Sequence, residues 1–339
     1  MDLRPSSEQE QLIEAFASLY TKESPPERVR AVEPGGFDKA LWERVLDLGV
    51  VAMAVGEDAG GWGASLVDLA LIAEQQGRAV APVPIIEAQV AARLLERVGT
   101  GPLAEVLAGE RLVTLALHAA HHGRAPMVPA AAVADDVIVL VDDRLLLAPL
   151  VDRRTPVENL GSMPLADVDI DAPAGIVLAS GPAAVAAFDA ALDEWLALTA
   201  AALVGIGARG LEIGVAYVKE RKAWGRPIGS YQGIAHRLAD SATAVDGARL
   251  LAWEAAWSAV EEPDRLPELA AMAFAFAHES ARDATYRALH FHGGYGFMME
   301  YDIQLYYRRA RAWATVFAEP RVVYQRAADR RYGVRGAAR

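Results

Sequence analysis

The 339-residue sequence contains no cysteine. This absence excludes disulfide bonds, thiolate metal sites and a cysteine nucleophile. Basic residues are also few, since 33 Lys and Arg stand against 45 Asp and Glu and give a formal net charge of -12. A non-specific nucleic-acid binder needs a basic face to displace counterions. We therefore expect no nucleic-acid partner.

Long apolar runs are absent as well. No window of the sequence approaches the roughly 18 uninterrupted apolar residues of a membrane span. The N-terminal stretch from Met1 leads into polar residues and lacks the apolar segment of a signal peptide. These two absences predict a cytoplasmic protein with no membrane partner.

The residues that are plentiful indicate a helix-rich protein with two or three structural units. Hydrophobic residues make up 53% of the chain and are mostly Ala, Leu and Val, which suits tightly packed helices. Residues 1–108 read as a helical domain, because apolar residues such as Leu12, Phe16 and Leu19 recur at helical spacing. Ser65 is expected to cap the helix that follows it.

The middle of the chain changes to strand patterns, and we place a small β domain at 109–183. Two apolar runs, 137–141 and 145–147, flank Asp142-Asp143-Arg144 and predict a β-hairpin. Residues 168–171 alternate with period two, and 175–179 offers a further strand.

Residues 184–339 return to helical periodicity and predict a four-helix bundle. Gly205, Gly207, Gly210 and Gly214 interrupt the first of these helices. An interior glycine costs about 1 kcal/mol relative to alanine, so a series of them indicates close approach between helices. The expected fold class is therefore mainly α with a small β domain.

Two loops within this bundle could bind a phosphate. Arg221 is expected at the end of one helix, and Gln232 begins the next after a Gly- and Pro-containing turn. Exposed backbone N–H groups beside a guanidinium suit a phosphate, although a helix-capping Arg beside a core Trp224 is the more ordinary explanation of the pattern. His290 to Gly296 is similar, since its glycines could admit a pyrophosphate or only cap a helix.

Taken together, the two loops resemble the pair that clamps FAD in the acyl-CoA dehydrogenase family. Arg221 and Gln232 keep that family's spacing of eleven residues, and 300–301, 308–311 and 60–63 match further family segments. The resemblance implies an N-terminal helical domain, a reduced middle β domain and a C-terminal four-helix bundle. It also implies that this chain contacts the ADP half of an FAD shared at a subunit interface, through Arg221, Trp224, Gln232, His290, Gly293 and Gly294. Trp224 replaces the usual Phe, and His290 replaces the usual Gln.

The same resemblance implies that the catalytic base is missing. Family enzymes desaturate an acyl-CoA thioester, with a Glu removing the α-proton while the β-hydrogen leaves as hydride to the flavin. The commoner Glu position falls on Phe317 and the alternative position falls on Trp195. Glu194 and Glu319 lie one and two residues away. Each is either a substitute base or an ordinary surface carboxylate.

The middle domain departs from the family too. His118, His121 and His122 stand where family members carry a flavin-covering loop, and no Trp lies between Trp62 and Trp195. We expect that this chain cannot hold an isoalloxazine ring in its own β domain. The three histidines read as an exposed polar turn rather than a metal site, so no metal is expected.

Three functions remain open. The first is a subunit of an α2β2 acyl-CoA dehydrogenase, in which a homologous partner supplies the base, an electron-transfer flavoprotein accepts the electrons, and the acyl-CoA is a steroid side-chain ester. The second is a self-sufficient homotetramer using Glu194 or Glu319. The third is a flavin-free scaffold or binding protein.

Overall fold

The computed structural model describes residues 4–170 and 175–333, and its elements follow the order that the sequence predicts. The helices of the first part are α1 (Ser7–Glu23), α2 (Pro26–Ala31), α3 (Lys39–Asp47), α4 (Leu66–Ala79), α5 (Ile85–Val98) and α6 (Leu103–Leu107). The strands that follow are β1 (Val113–Leu115), β2 (Arg124–Val128), β3 (Asp136–Val141), β4 (Arg144–Pro149), β5 (Arg154–Pro156), β6 (Ala166–Asp169) and β7 (Ile176–Ser180). The last part comprises α7 (Pro182–Glu220), β8 (Lys222–Ala223), β9 (Arg226–Pro227), α8 (Gln232–Glu261), α9 (Leu266–His292), α10 (Ile303–Thr315) and α11 (Pro320–Tyr332). The expected fold class, mainly α with a small β domain, is confirmed.

Several predicted element starts have clear local causes. The Ser65 hydroxyl accepts a hydrogen bond from the Asp68 N–H at 3.3 Å, and the Asp68 carboxylate accepts one from the Ser65 N–H at 2.9 Å. This reciprocal pair caps α4, as predicted. Pro267 lies in the first turn of α9, where its missing N–H costs nothing.

Strands β1 to β7 form two sheets, and β8 pairs with β9 separately. One has the order β1-β3-β4-β7, in which β1 and β3 are parallel and the remaining pairs are antiparallel. The other has the antiparallel order β2-β6-β5. The predicted hairpin is confirmed as β3–β4, with Val141 paired to Arg144 and Asp142 at a φ of +53° in the turn. The strand predicted at 168–171 ends at Asp169, and Asp171 lies outside the described residues.

The chain divides into two compact units. The first contains the described residues of 1–28, 70–81 and 196–339, and the second contains 29–69 and 82–195. The boundaries of the three expected domains stay a prediction.

The helices of the first unit pack closely because glycines remove side chains where they meet. A Cβ added at Gly205 of α7 would lie 2.0 Å from the Glu74 carbonyl oxygen of α4. On another face of α7, Cβ atoms at Gly207, Gly210 and Gly214 would meet Ala281, Thr285 and Ala288 of α9 at 3.1, 2.6 and 2.7 Å. We call this second row the glycine seam. The close approach expected from the sequence is confirmed.

The contacts of the glycine seam also show the relative direction of α7 and α9. Residue numbers rise together along both helices, from Gly207 beside Ala281 to Gly214 beside Ala288, so the two helices run parallel. Their C-terminal ends therefore lie at the same end of the first unit.

Helix α7 is long and apolar enough to cross a membrane by composition alone, with a mean hydropathy of 1.5 in its most apolar window. However, 78% of that window is buried inside the protein, which is the behaviour of a core helix.

Candidate functional site

A short hairpin, β8–β9, follows α7 and presents two of the predicted site residues. The Ile228 N–H donates a hydrogen bond to the Arg221 carbonyl at 2.8 Å, and the Tyr231 hydroxyl donates to the Ala223 carbonyl at 3.0 Å. The Arg226 guanidinium lies 4.1 Å from the centre of the Tyr231 ring. These contacts order the turn, while Arg221 stays exposed and Trp224 is 92% exposed at its tip.

Helix α8 begins directly after this hairpin, at the predicted Gln232. Its N-cap residue, Tyr231, makes no side-chain cap hydrogen bond. Gln232 and Gly233 in the first turn are both exposed. The N–H groups of a first turn lack helical partners and carry the positive end of the helix dipole, so this end can bind an anion.

The second predicted loop follows α9. Gly293 has a φ of +62°, a conformation that a side chain would strain, and it ends the helix. A Cβ added at Gly293 or Gly294 would meet nothing within 4 Å in this chain. His290, one turn earlier, is exposed and its ring stacks on Tyr286 at a centroid distance of 6.0 Å. The backbone of this loop is therefore open to an external group.

The two loops are neighbours because the parallel helices α7 and α9 end together. Near those ends, the Tyr217 ring of α7 stacks on the His292 ring of α9 at 3.9 Å. His292 is buried, and its Nδ1 lies 2.7 Å from the Ala288 carbonyl. Burial lowers the pKa of His292, with the hydrogen bond to Ala288 opposing that shift. The ring is neutral at physiological pH and serves to pack the helix ends.

A cavity of about 460 Å³ lies between the start of α8 and the end of α9. Its lining residues are Gly233, Arg237, Asp283, Tyr286, Arg287, His290 and Phe291. Of the predicted residues, His290 lines this cavity and Gln232 adjoins it through Gly233. Gly293 and Gly294 follow its last lining residue. Arg221 and Trp224, on the hairpin, are not among the lining residues.

Sequence reasoning missed Arg237, Tyr286 and Arg287 as members of this cavity. The available signal was spacing, since Arg237 lies four residues after Gly233 and Tyr286 lies four residues before His290. Residues four apart share one face of a helix. Arg287 is held by α8, because its Nη1 donates a hydrogen bond to the Ser241 hydroxyl at 2.9 Å.

Phe317, at the commoner base position, packs into the helical unit. Its ring meets the buried Phe274 ring edge-on, with centroids 5.9 Å apart and an interplanar angle of 88°. Edge-to-face contact is a favoured arrangement for aromatic pairs. The side chain is half-buried and cannot accept a proton.

Trp195, at the alternative position, is 1% exposed. Its indole N–H donates a long hydrogen bond of 3.4 Å to the Glu87 carboxylate of α5. Burial raises the pKa of Glu87, although this hydrogen bond and one from its own backbone oppose the shift. An indole thus fills the position that the family resemblance assigns to a carboxylate.

The interpretation of Glu194 as an ordinary surface carboxylate is wrong. Glu194 is 4% exposed and accepts hydrogen bonds from Arg93 at 3.0 Å and from Arg97 at 2.7 Å. Both arginines lie on one face of α5, four residues apart, and this pairing lets the carboxylate stay inside the protein. Although burial alone lowers the pKa of Arg93, the attraction of Glu194 leaves it raised. Glu319, in contrast, is exposed at the N-cap of α11.

The histidine-containing segment follows β1. His118 and His122 are exposed, and His121 pairs with Arg124 in an isolated β-bridge. Across the residues that the structure describes, no group of three or more His, Asp or Glu side chains is arranged to hold a metal ion.

Comparison with known proteins decides the family. The profile for "Acyl-CoA dehydrogenase, N-terminal domain" matches residues 6–105, and that for "Acyl-CoA dehydrogenase, C-terminal domain" matches residues 186–316. The chain belongs to the acyl-CoA dehydrogenase family. Acyl-CoA dehydrogenase IpdE2 of Mycolicibacterium smegmatis is 31% identical over 320 residues, covering 93% of this chain and 96% of that protein.

Two solved structures share the fold over nearly the whole chain. The Tcur3481-Tcur3483 steroid ACAD variant has a TM-score of 0.86 at 27% identity and covers 95% of this chain and 97% of that one. The ChsE4-ChsE5 complex from Mycobacterium tuberculosis has a TM-score of 0.87 at 23% identity and covers 98% of this chain and 100% of that one. The family is one of flavoproteins that act on acyl-CoA, and the cofactor it implies is FAD.

Proposed function

We propose that this chain is the base-lacking subunit of a heteromeric acyl-CoA dehydrogenase and completes the FAD site of a homologous catalytic subunit. One observation carries the proposal. The exposed FAD-type loops meet at one end of the helical unit, while the two base positions hold Phe317 and Trp195. Neither of these side chains can remove the α-proton of an acyl thioester.

The residues of the two loops fit an ADP group. Arg221 offers an exposed guanidinium at the start of the hairpin that leads into α8, and a guanidinium suits a pyrophosphate. The open backbone at Gly293 and Gly294 lets a phosphate or a ribose approach without a steric clash. Trp224 and His290 offer exposed rings for packing and hydrogen bonding. FAD, when bound, accepts the hydride that leaves the acyl group.

The exposure of this site favours an FAD shared with a partner subunit over an FAD bound by this chain alone. Trp224 is 92% exposed, and the loop after Gly294 exposes Tyr295, Phe297 and Met299 by 45%, 62% and 55%. Apolar side chains grouped at a surface in this way are typical of protein interfaces. We propose an α2β2 assembly in which the partner supplies the catalytic Glu and covers the flavin ring. An electron-transfer flavoprotein or a similar acceptor then reoxidises the flavin.

The proposed substrate is a bulky acyl-CoA, such as the CoA ester of a steroid side chain. The support is the likeness, at 27% identity, to the Tcur3481-Tcur3483 steroid ACAD. The test is a panel of straight-chain and steroid CoA esters offered to the assembled enzyme. Equal turnover of short straight-chain esters would contradict the bulky substrate.

Two other functions are weaker. A self-sufficient enzyme would need Glu194 or Glu319, but Glu194 is held by two arginines, and Glu319 is exposed and followed by Pro320. A flavin-free scaffold has no physical need for Arg221, Gln232 and the Gly293-Gly294 turn together, and fold alone does not decide function.

Co-expression separates the three functions. The chain is purified alone and together with a homologous subunit that has the catalytic Glu, and flavin absorbance and acyl-CoA-dependent bleaching are recorded. Flavin and activity only in the joint preparation support the proposal. A yellow, active protein from this chain alone would establish the self-sufficient enzyme, and two colourless preparations would establish the scaffold.

Substitutions in the loops test the placement of FAD within that complex. Gly294→Leu leaves this chain folded, because a Cβ there meets none of its own atoms, but it obstructs the cofactor and releases FAD. Arg221→Ala weakens FAD retention at least tenfold by removing a charged hydrogen bond. Arg321→Ala, on the exposed face of α11, is the matched control and retains FAD. Full FAD retention by both loop variants would show that the placement is wrong.

A further inference from the structure

Trp224, at the tip of the β8–β9 hairpin, has a backbone conformation that suits other residue types better. Ala223 pairs with Arg226, so Trp224 and Gly225 form a two-residue turn, and their φ values are +48° and +81°. Two-residue turns with two positive φ values favour Asn or Asp followed by Gly, whereas a bulky side chain is strained in the left-handed region. The turn would therefore form more readily with Asn at position 224.

Packing inside this chain does not offset the strain at Trp224. Val80, in the same unit, also has a positive φ of +43°, but its side chain is 1% exposed and is stabilised by the core around it. Trp224 is 92% exposed, and its ring meets Tyr231 edge-on with the centroids 6.1 Å apart. Backbone strain that the chain itself does not compensate points to a role for the side chain in binding another group.

The hairpin that carries Trp224 is ordered by its own contacts. The Tyr231 hydroxyl donates to the Ala223 carbonyl on one side of the turn, and the Arg226 guanidinium on the other side lies over the Tyr231 ring. The Ser230 hydroxyl also donates a hydrogen bond to the Pro227 carbonyl at 2.7 Å. A side chain on an ordered support loses less conformational entropy when it binds. Trp is also among the residue types enriched at the energetic centres of protein interfaces.

The charges around the tip indicate what kind of surface it binds. Residues 219–226 contain four basic side chains and one acidic side chain, although the whole chain has a net charge of -12. Arg221, Lys222 and Arg226 are exposed, and none of them forms an ion pair within the part of the chain that the structure describes. An apolar pocket with carboxylates at its rim is complementary to an indole surrounded by such cations.

We propose that Trp224 is the anchor by which this chain docks on the homologous catalytic subunit, where its indole enters an apolar pocket with acidic side chains at the rim. The proposal rests on the heteromeric assembly of the proposed function and assigns the residue on which that assembly depends most. The exposed Tyr295, Phe297 and Met299 lie in the neighbouring loop. They exclude water around the anchor, and each contributes less to the affinity than Trp224.

Two substitutions of Trp224 test the proposal in opposite directions. Binding to the homologous catalytic subunit is measured by calorimetry, with and without saturating FAD, and thermal unfolding is measured on the full chain alone. Trp224→Asn weakens binding about 30-fold or more, because the indole is lost. The same change raises the unfolding temperature of the chain alone, because Asn suits the turn.

Trp224→Phe keeps an aromatic anchor and the strained turn. It therefore retains most of the affinity and leaves the unfolding temperature unchanged. Val260→Asn is the matched control, because Val260 is 67% exposed and lies at the other end of α8, about 40 Å from the hairpin along that helix. This variant binds the catalytic subunit normally.

The results distinguish the anchor from the proposed function. If the unsubstituted chain does not bind the catalytic subunit, the heteromer and the anchor are both rejected. Equal binding by the unsubstituted chain and Trp224→Asn rejects the anchor alone. If saturating FAD restores normal binding to Trp224→Asn, the indole serves the cofactor rather than the partner protein, and the proposal is overturned.

The chain alone provides two further outcomes. A lower unfolding temperature for Trp224→Asn would overturn the proposal by showing that the indole stabilises its own hairpin. Self-association of the unsubstituted chain that Trp224→Asn abolishes would assign the tip to a second copy of this chain instead of the catalytic subunit. An unchanged oligomeric state with a raised unfolding temperature supports the proposal.

Discussion

At the scale of single residues, two carboxylates with similar partners differ in burial. Glu194 and Glu212 each bridge two arginines, but the Glu194 side chain is 5% exposed and the Glu212 side chain is 44% exposed. Breaking a buried ion pair leaves uncompensated charge in the interior, whereas water replaces the partner at the surface.

We therefore expect Glu194→Gln to lower the free energy of unfolding by about 3 kcal/mol. The matched change Glu212→Gln is expected to cost about 1 kcal/mol or less. Urea unfolding followed by circular dichroism measures both. Equal losses would show that the arginines around Glu194 can reach water after the change.

His278 of α9 provides a pH-dependent contribution to stability. It is 2% exposed, and burial, with Arg282 and Arg311 acting in the same direction, lowers its pKa from 6.5 to about 4. The unfolded chain binds the proton more readily than the folded one, so the contribution of this group is present above about pH 6.5 and is lost as pH falls towards 4.

Between pH 7 and pH 5 the contribution of His278 to the free energy of unfolding falls by about 2 kcal/mol. His278→Leu should remove that part of the pH dependence, measured as the free energy of unfolding at the two pH values. His236→Gln, at an exposed position, serves as the control and should keep it. An unchanged slope in the Leu variant would mean that folding does not lower the pKa of His278.

At the scale of elements, the contact between α7 and α4 requires a missing side chain. A Cβ at Gly205 would lie 2.0 Å from one backbone atom of α4 and 2.7 Å from another, and neither atom can rotate away. Gly205→Ala should therefore destabilise the protein by about 1–3 kcal/mol, despite the higher helix propensity of alanine.

Gly233→Ala is the comparison, because a Cβ there meets nothing within 4 Å and the position is helical. It should be neutral or stabilising by up to about 1 kcal/mol. Chemical unfolding of both variants measures these changes in the free energy of unfolding. A neutral Gly205→Ala would imply that α4 can move away from α7.

Much of the secondary structure follows from local pattern. The hairpin β3–β4 shows two apolar runs around a two-residue turn, and the starts of α4, α8 and α9 carry Ser65, Gln232 and Pro267 where the sequence predicts them. The parallel pairing of β1 with β3 could not be predicted, because strand partners far apart in sequence are chosen by packing.

The candidate site was predictable only in part. Arg221, Gln232 and His290 stand in recognisable loops, but the residues that join the loops do so through tertiary contacts. Arg237 shares a cavity with His290 only because α8 packs against α9. The burial of Glu194 depends on arginines about a hundred residues earlier, and no local pattern reveals such a partner.

At the scale of the whole molecule, the charge balance predicts solution behaviour. The net charge is -12 at pH 7 and the isoelectric point is about 5.1. We expect solubility to pass through a minimum near that pH, because repulsion between molecules is weakest there. Light scattering across pH 4 to 8, at roughly constant ionic strength, measures it. A minimum well above pH 5.1 would mean that the native fold holds many carboxylates protonated.

The glycine seam also controls the distance between the two loops that follow α7 and α9. Gly214 lies seven residues before Arg221, a separation of about 10 Å along α7. A single methyl group at Gly214 would stand 2.7 Å from Ala288 and would push the ends of α7 and α9 apart. The distance between the hairpin and the Gly293-Gly294 turn therefore depends on Gly214, which lies in neither loop. Substitutions that never touch a ligand can therefore change the size of the ligand that fits between the two loops.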